Sequence, residues 1–134
     1  DVLTGNFTIC PPVIAQRACL AAFTPEAYAE LDGHVARYAG NRRLLLDGLA
    51  DLGITRLAPA DGAFYAYADV GHLTEDSMAF AHELLAATGV AVAPGIGFGE
   101  YGEGYVRLGL VENEQRIRQA ARNIKRFLAD HARR

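Results

Sequence analysis

The feature that most constrains this chain is a single helical signal running across residues 26–52. Thr24-Pro25-Glu26 opens it, with Thr24 as N-cap, Pro25 at the first helical position and an acid in the first turn. Its apolar stripe is Tyr28, Leu31, Val35 and Tyr38, resuming at Leu45, Leu49 and Leu52, at the i, i+3/i+4 spacing of one helix face. Gly40-Asn41 predicts a bend within it, and Gly53 ends it as a C-cap glycine does. Such a helix is roughly 40 Å long, more than one small domain requires, and it suits a connector between two bodies.

The other elements are short and arrange themselves around that helix. Residues 4–23 begin with a polar turn and pass Cys10-Pro11-Pro12 into a helix carrying Val13, Arg17 and Leu20, whose start the prolines mark. Residues 55–59 and 63–70 read as strands, the second rich in aromatics and entered through the turn Asp61-Gly62. Residues 74–88 read as an amphipathic helix with Met78, Ala81, Leu84 and Leu85 inward and Glu75, Asp76, His82 and Glu83 outward, stopped by Gly89. A short strand at 90–93, a loop at 94–104 holding five glycines and a last strand at 105–111 follow. Asn113 caps a final helix with the stripe Ile117, Ala121, Ile124, Leu128. With 134 residues and 51% hydrophobic composition, the order predicts an α/β fold, an α+β two-layer small domain. Helices flank a small mixed sheet of three or four strands.

Charge and rare residues remove most function classes. A formal net charge of −3 supplies no field for nucleic acid or an anionic membrane. The basic face Arg116, Arg118, Arg122, Lys125 and Arg126 reads as a solvated helix surface, since it lacks interleaved aromatics. There is no run of about 20 apolar residues and no signal-peptide layout, so neither a membrane nor a nucleic acid is an expected partner. A cytoplasmic protein is expected. Cys10 and Cys19 are too few for a zinc site and read as buried free thiols; His34, His72, His82 and His131 show no metal-binding spacing, so no metal is expected. Ser77, the only serine, sits in the first turn of a helix without the context of a nucleophile. Asp69 and Asp76, at a strand end and a helix start, are explained by structure.

Gly97-Phe98-Gly99-Glu100-Tyr101-Gly102 spells G-x-G-x-x-G, but the phosphate chemistry of that fingerprint needs a helix N-terminus after it. Here a strand follows. The loop offers instead a backbone that a ligand or another chain can approach closely. Within Tyr105-Val106-Arg107-Leu108-Gly109-Leu110-Val111, Arg107 is the only charge. Alternation puts it on one side with Tyr105 and Gly109, while Val106, Leu108 and Leu110 face the core. A guanidinium matches a carboxylate bidentately, which a lysine does not. Two readings stand at this point: an edge-strand arginine in water, or a carboxylate fork beside a glycine loop.

The run from residue 59 to residue 107 resembles the C-terminal small domain of class I/II aminotransferases, the aspartate-aminotransferase-like, fold-type I group. The residues that carry the resemblance are Pro59-Ala60-Asp61-Gly62-Ala63-Phe64-Tyr65, Asp69, Asp76-Ser77, Phe80, Leu84-Leu85, Gly89-Val90-Ala91-Val92-Ala93-Pro94-Gly95, Phe98-Gly99 and Val106-Arg107-Leu108, in that order. Asn41-Arg42-Arg43 to Leu49 and Gln16-x-Ala18 agree more loosely. The resemblance implies that Arg107 binds the α-carboxylate of an amino-acid substrate and of the 2-oxo acid. It also implies that the loop carrying Gly97 and Phe98 passes the active-site mouth, and that the domain closes over substrate, the long helix carrying the motion.

The same resemblance implies pyridoxal phosphate as cofactor in the parent enzyme, held covalently by a lysine and paired with an acid at its ring nitrogen. Lys125, the only lysine, lies on the polar face of the last helix, outside any family motif. No residue of this chain is therefore expected to be catalytic or to bind the cofactor. The chain reads as a C-terminal fragment that begins at Asp1 rather than at an initiator methionine: 1–25 a remnant of the large cofactor-binding domain, 26–134 the small domain with its linking helix at about 26–52. Its partners on this reading are amino-acid and 2-oxo-acid substrates, the missing large domain and a second subunit of a homodimeric parent, with the fragment alone inactive. A C-S lyase or cyclopropane-forming synthase of the same superfamily, and a non-catalytic amino-acid-binding module, are the alternatives.

Overall fold

The structure is a computed structural model that describes residues 3–131 of the chain; residues 1–2 and 132–134, at the outer ends of the two expected domains, lie outside the description. It divides into two units, Asp1–Ala36 and Arg37–Arg134, the division falling inside the long helix. In the first unit a π-helical turn (Thr4–Thr8) precedes α1 (Val13–Cys19), which tightens into a 3-10 turn (Leu20–Phe23). Pro12 is the N-cap of α1, and Gln16 Nε2 donates to the Pro11 carbonyl at 2.7 Å, so the prolines do mark the helix start. Cys10 and Cys19 are exposed, which corrects the expectation of buried thiols: α1 buries none of its residues. Helix α2 (Pro25–Ala50) opens as expected, with the Ala27 N–H donating to Thr24 Oγ1 at 3.2 Å. Its first stripe residues Tyr28, Leu31 and Val35 are exposed, as are Val13, Ile14 and Phe23.

In the second unit the same helix face goes inward at Asn41, Leu45 and Leu49. The helix runs without a break through Gly40-Asn41, where a bend was expected. Asn41 is 2% exposed and its Nδ2 donates to the carbonyls of Leu110 at 2.8 Å and Glu112 at 2.5 Å. An asparagine disturbs a helix by competing for the local backbone, and this one spends its amide on a distant segment instead.

The sheet has three strands in the order β1-β3-β2: β1 (Tyr65–Asp69), β2 (Ala93–Pro94) and β3 (Tyr105–Gly109). Both pairings are antiparallel, with Tyr67 opposite Arg107 in one and Ala93 opposite Arg107 in the other. The helix-flanked small sheet is the expected fold, in antiparallel rather than mixed form. The strand expected at 55–59 contracts to a bridge between Leu57 and Ala68, and the one expected at 90–93 to the two residues of β2, where Pro94 has no N–H to continue a ladder. Ala66, Ala68, Val106 and Leu108 point inward and join Leu45, Leu49, Phe80, Leu84, Ile117 and Ile124 in one core.

Helix α3 (Ser77–Thr88) begins three residues later than 74, because Thr74 and Asp76 serve as cap: Thr74 Oγ1 accepts the Asp76 N–H at 3.0 Å, and Asp76 Oδ1 accepts the Ala79 N–H at 2.9 Å. Its buried face is Ser77, Phe80, Ala81 and Leu84, a regular i, i+3, i+4, i+7 set. Met78 and Leu85, expected inward, sit one position off that face and are 44% and 46% exposed. Gly53 (φ +78°) and Gly89 (φ +71°) follow α2 and α3 in the left-handed conformation expected of C-cap glycines. Helix α4 (Glu114–His131) has Asn113 as its cap, whose Oδ1 accepts the Arg116 N–H at 3.0 Å. It buries Ile117 and Ile124 and exposes Arg116, Arg118, Arg122, Lys125 and Arg126. Among the described residues no helix is long and apolar enough to cross a membrane.

Candidate active site around Arg107

The ladder of β1 and β3 puts Tyr65, Tyr67, Tyr105 and Arg107 on the face opposite the core, because directly opposed residues of an antiparallel pair share a face. As expected from alternation, Arg107 is half-buried while its neighbours Val106 and Leu108 are buried. Leu110, just beyond the strand, is buried too. The Arg107 Cζ lies 5.2 Å from the centre of the Tyr65 ring and 4.7 Å from that of Phe98. Tyr67 stacks on Tyr105, with centroids 5.0 Å apart and planes within 6°, and meets Phe98 edge-on at 6.2 Å.

Phe98 reaches this face because of the glycine loop. Two short 3-10 turns, Gly95–Phe98 and Glu100–Gly102, replace the helix that a dinucleotide site would need, and the chain then enters β3. The loop is pinched at its neck. A Cβ on Gly95 would collide with the carbonyl oxygen of Gly102 and stand 2.6 Å from that of Tyr105, and a Cβ on Gly102 would collide with Gly95; both would come within 2.8 Å of Tyr67 Oη. Only glycines allow the two ends to close this far. Of the two loop residues singled out, Gly97 has no neighbour that a Cβ would meet within 4 Å, while the Phe98 ring stands against Arg107.

The far end of the loop is fastened to α3. The Glu103 carboxylate accepts the Ser77 N–H at 2.6 Å and the Gly104 N–H at 2.9 Å, and fully buried Ser77 accepts the Ile96 N–H on Oγ at 3.3 Å. The Gly104 and Ser77 donors hold the Glu103 carboxyl below the usual carboxylate range. Burial, followed by the proximity of Tyr105 and Glu103, pushes the Tyr67 phenol above its usual value, so Tyr67 is neutral here. On the near side, Arg42 donates from Nε to the Ala60 carbonyl at 2.7 Å and pairs with Asp61 at 3.2 Å, fixing the segment before β1.

These pieces border an open cavity of about 760 Å³ lined by Ala58, Pro59, Ala63, Tyr65, Phe98 and Arg107, among others. Among the described residues Arg107 is its only charged lining residue. Elsewhere arginines meet carboxylates: Arg42 with Asp61, Arg56 with Asp69 at 3.2 Å, Arg118 with Glu114 at 2.7 Å. Among the described residues no carboxylate stands within ion-pair range of Arg107. The arrangement can present a planar cation, with its in-plane donors available, to an anion in an otherwise uncharged pocket. Asp69 is occupied by Arg56 and the Gly71 N–H, and Asp76 by its capping bond, the structural roles expected of both.

Sequence reasoning placed Tyr105 on the side of Arg107 but missed Tyr65 and Tyr67 as its neighbours, and Glu103 as the loop fastener. The alternation Tyr65-Ala66-Tyr67-Ala68 was the available signal for an aromatic outer face. Glu103 carried none, because its partner Ser77 lies 26 residues away.

The family profile described as aminotransferase class I and II matches residues 3–124. The chain is 58% identical, over 96% of its length, to the valine–pyruvate aminotransferase of Mycobacterium tuberculosis, and 36% identical over 94% to the (5-formylfuran-3-yl)methyl phosphate transaminase of Methanocaldococcus jannaschii, spanning 33% of each. The crystal structure of an aminotransferase from Mycobacterium tuberculosis superposes with a TM-score of 0.89 at 57% identity, covering 96% of this chain and 34% of that one. The chain thus spans about a third of the length of the relatives it matches, and it belongs to the class I and II aminotransferases.

Proposed function

We propose that the chain is the C-terminal, substrate-gripping part of a pyridoxal-phosphate-dependent aminotransferase that moves an amino group between an α-amino acid and a 2-oxo acid. Arg107 holds the substrate's α-carboxylate. The observation that carries this reading is a half-buried guanidinium that, among the described residues, has no carboxylate partner and is the only charge lining a 760 Å³ cavity. Such a fork gives two charge-assisted hydrogen bonds to a carboxylate and fixes its plane. The α-carboxylate is the same in amino acid and oxo acid, so the grip serves both halves of the reaction.

The residues of this chain do not fit the cofactor itself. Its covalent attachment needs a lysine and its ring nitrogen an acid. The cavity beside Arg107 has neither, and Lys125 is exposed on α4. On this reading the group that acts as electron sink is held by the part of the parent protein outside this chain. The 134-residue chain alone then neither holds pyridoxal phosphate covalently nor transaminates. A dialysis-stable visible absorbance band, abolished by Lys125→Ala, overturns that statement.

The exposed apolar residues of the first unit, Val13, Ile14, Phe23 and Leu31 among them, support a parent in which further chain covers them. A homodimeric, cytoplasmic parent is part of the proposal, and its mass in solution checks the first half. Valine with pyruvate is the first substrate pair to assay, given the Mycobacterium tuberculosis relative's name; ammonia release in place of oxo-acid exchange identifies a lyase instead. In the full-length enzyme Arg107→Ala loses about 2–4 kcal/mol of substrate binding, roughly 30- to 1000-fold in kcat/KM for amino acid and oxo acid alike, with cofactor affinity unchanged. Equal loss of substrate and cofactor binding contradicts the assigned role.

A further inference from the structure

We propose that Phe98 and Tyr65 are positioning residues for Arg107: their rings hold the guanidinium by its faces and leave its N–H edge for the ligand. The inference rests on the reading of Arg107 as the carboxylate grip and adds how the grip is aimed.

An arginine side chain is long, and its freedom must be removed before a bidentate contact forms efficiently. The other described arginines with carboxylate partners are oriented by ion pairs, as Arg118 is by Glu114 through Nε and Nη2. That device spends N–H groups on the protein itself. All five guanidinium donors lie in the plane of the group, while a ring attracts it from above or below. Two rings, with Cζ at 5.2 Å and 4.7 Å from their centres, restrain Arg107 with no ion pair to a protein carboxylate among the described residues. Ring contacts also avoid the negative charge that would repel an incoming carboxylate.

The rings are themselves held. Tyr65 stands in β1 opposite Gly109, diagonal to Arg107 across the ladder, where Gly109 adds no side chain to obstruct it. Phe98 is delivered by the pinched loop and backed edge-on by Tyr67, which is stacked in turn on Tyr105. The neck at Gly95 and Gly102 thus has a purpose beyond turning the chain: it returns Phe98 over the strand that carries Arg107.

The test uses the full-length enzyme loaded with its cofactor. The variants are Phe98→Leu, Phe98→Tyr, Tyr65→Leu and Arg107→Ala, and Phe98→Leu combined with Arg107→Ala. The readouts are KM, kcat and the inhibition constant of butanoate, a carboxylate without an amino group. Phe98 and Tyr65 are 54% and 36% exposed, so their replacement does not open the core. Phe98→Leu and Tyr65→Leu each raise KM and the butanoate constant about 3- to 30-fold, with kcat taking the smaller share, and Phe98→Tyr restores both. In the Arg107→Ala background, Phe98→Leu adds nothing further. The proposal is overturned if Phe98→Leu is neutral, if Phe98→Tyr is as impaired as Phe98→Leu, or if the double variant is additive, since the ring then acts on substrate directly. If Arg107→Ala leaves butanoate binding intact, the grip itself fails; if it weakens binding and the ring variants do not, only the positioning role fails.

Discussion

On one face of the β1–β3 ladder Ala66, Ala68, Val106 and Leu108 are at most 7% exposed, packed against α2, α3 and α4 side chains. On the other stand three tyrosines and an arginine, of which Tyr65, Tyr67 and Arg107 line an open cavity. The inner face is built from small and branched apolar groups whose removal leaves a void. The outer face is built from rings that hold each other and one cation. The backbone hydrogen bonds are common to both, so the difference lies wholly in alternate side chains. A five-residue strand can thus contribute stability through one set and recognition through the other, with little trade between them.

The sharpest way to break this comparison is on the inner face. Leu108→Ala is expected to cost about 2–4 kcal/mol of unfolding free energy, read from the urea midpoint, because the surrounding core closes only partly around the lost volume. A loss under about 1 kcal/mol would mean that the inner face is not the stabilising one.

The loop neck comes next. Gly95→Ala forces the carbonyls of Gly102 and Tyr105 apart and is expected to cost about 1–3 kcal/mol and to release Phe98 from Arg107, seen as loss of the ring-current shift on the Arg107 side-chain protons. Unchanged stability and shifts would show that the neck relaxes freely.

Glu103 gives a smaller, pH-dependent term. Its carboxyl is held below the ordinary value of 4.5 by the Gly104 and Ser77 donors, so its contribution is present above that value and is lost as pH falls through it toward the lowered one. Glu103→Gln should flatten the acid limb of the stability profile there and leave the neutral limb parallel to the parent's. The smallest effect is expected for Arg107→Met, within about 0.5 kcal/mol in stability, since the group is half-buried and its restraints are two ring contacts. A large loss there would merge the two faces.

The helices were legible because their signals are local and periodic: Thr24, Asn113 and Gly89 stand where caps were expected, and the stripe Leu45, Leu49 goes inward. The place of Arg107 on the outer face of β3 was legible for the same reason, as a single charge in an alternating strand. The phase of α3 was misread because Met78 and Leu85 compete with Phe80 as apolar choices on neighbouring faces. What was not legible depends on contacts remote in sequence. Asn41 reads locally as a helix disturber and is a tie to carbonyls 69 and 71 residues away. Phe98 reads as a loop residue, and its approach to Arg107 follows from the meeting of Gly95, Gly102 and Tyr67.

The brevity of β2 has a further consequence. The sheet's outer rim at β2 is two residues long and ends in a proline, and its opposite rim at β1 is occupied by the segment around Leu57, where the Ala58 N–H donates to the Tyr67 carbonyl and the Asp69 N–H to that of Arg56. Neither rim offers a row of unpaired backbone groups to a passing strand. The ladder carrying Arg107 thus has its register set within the chain, with little backbone left at either rim for strand addition.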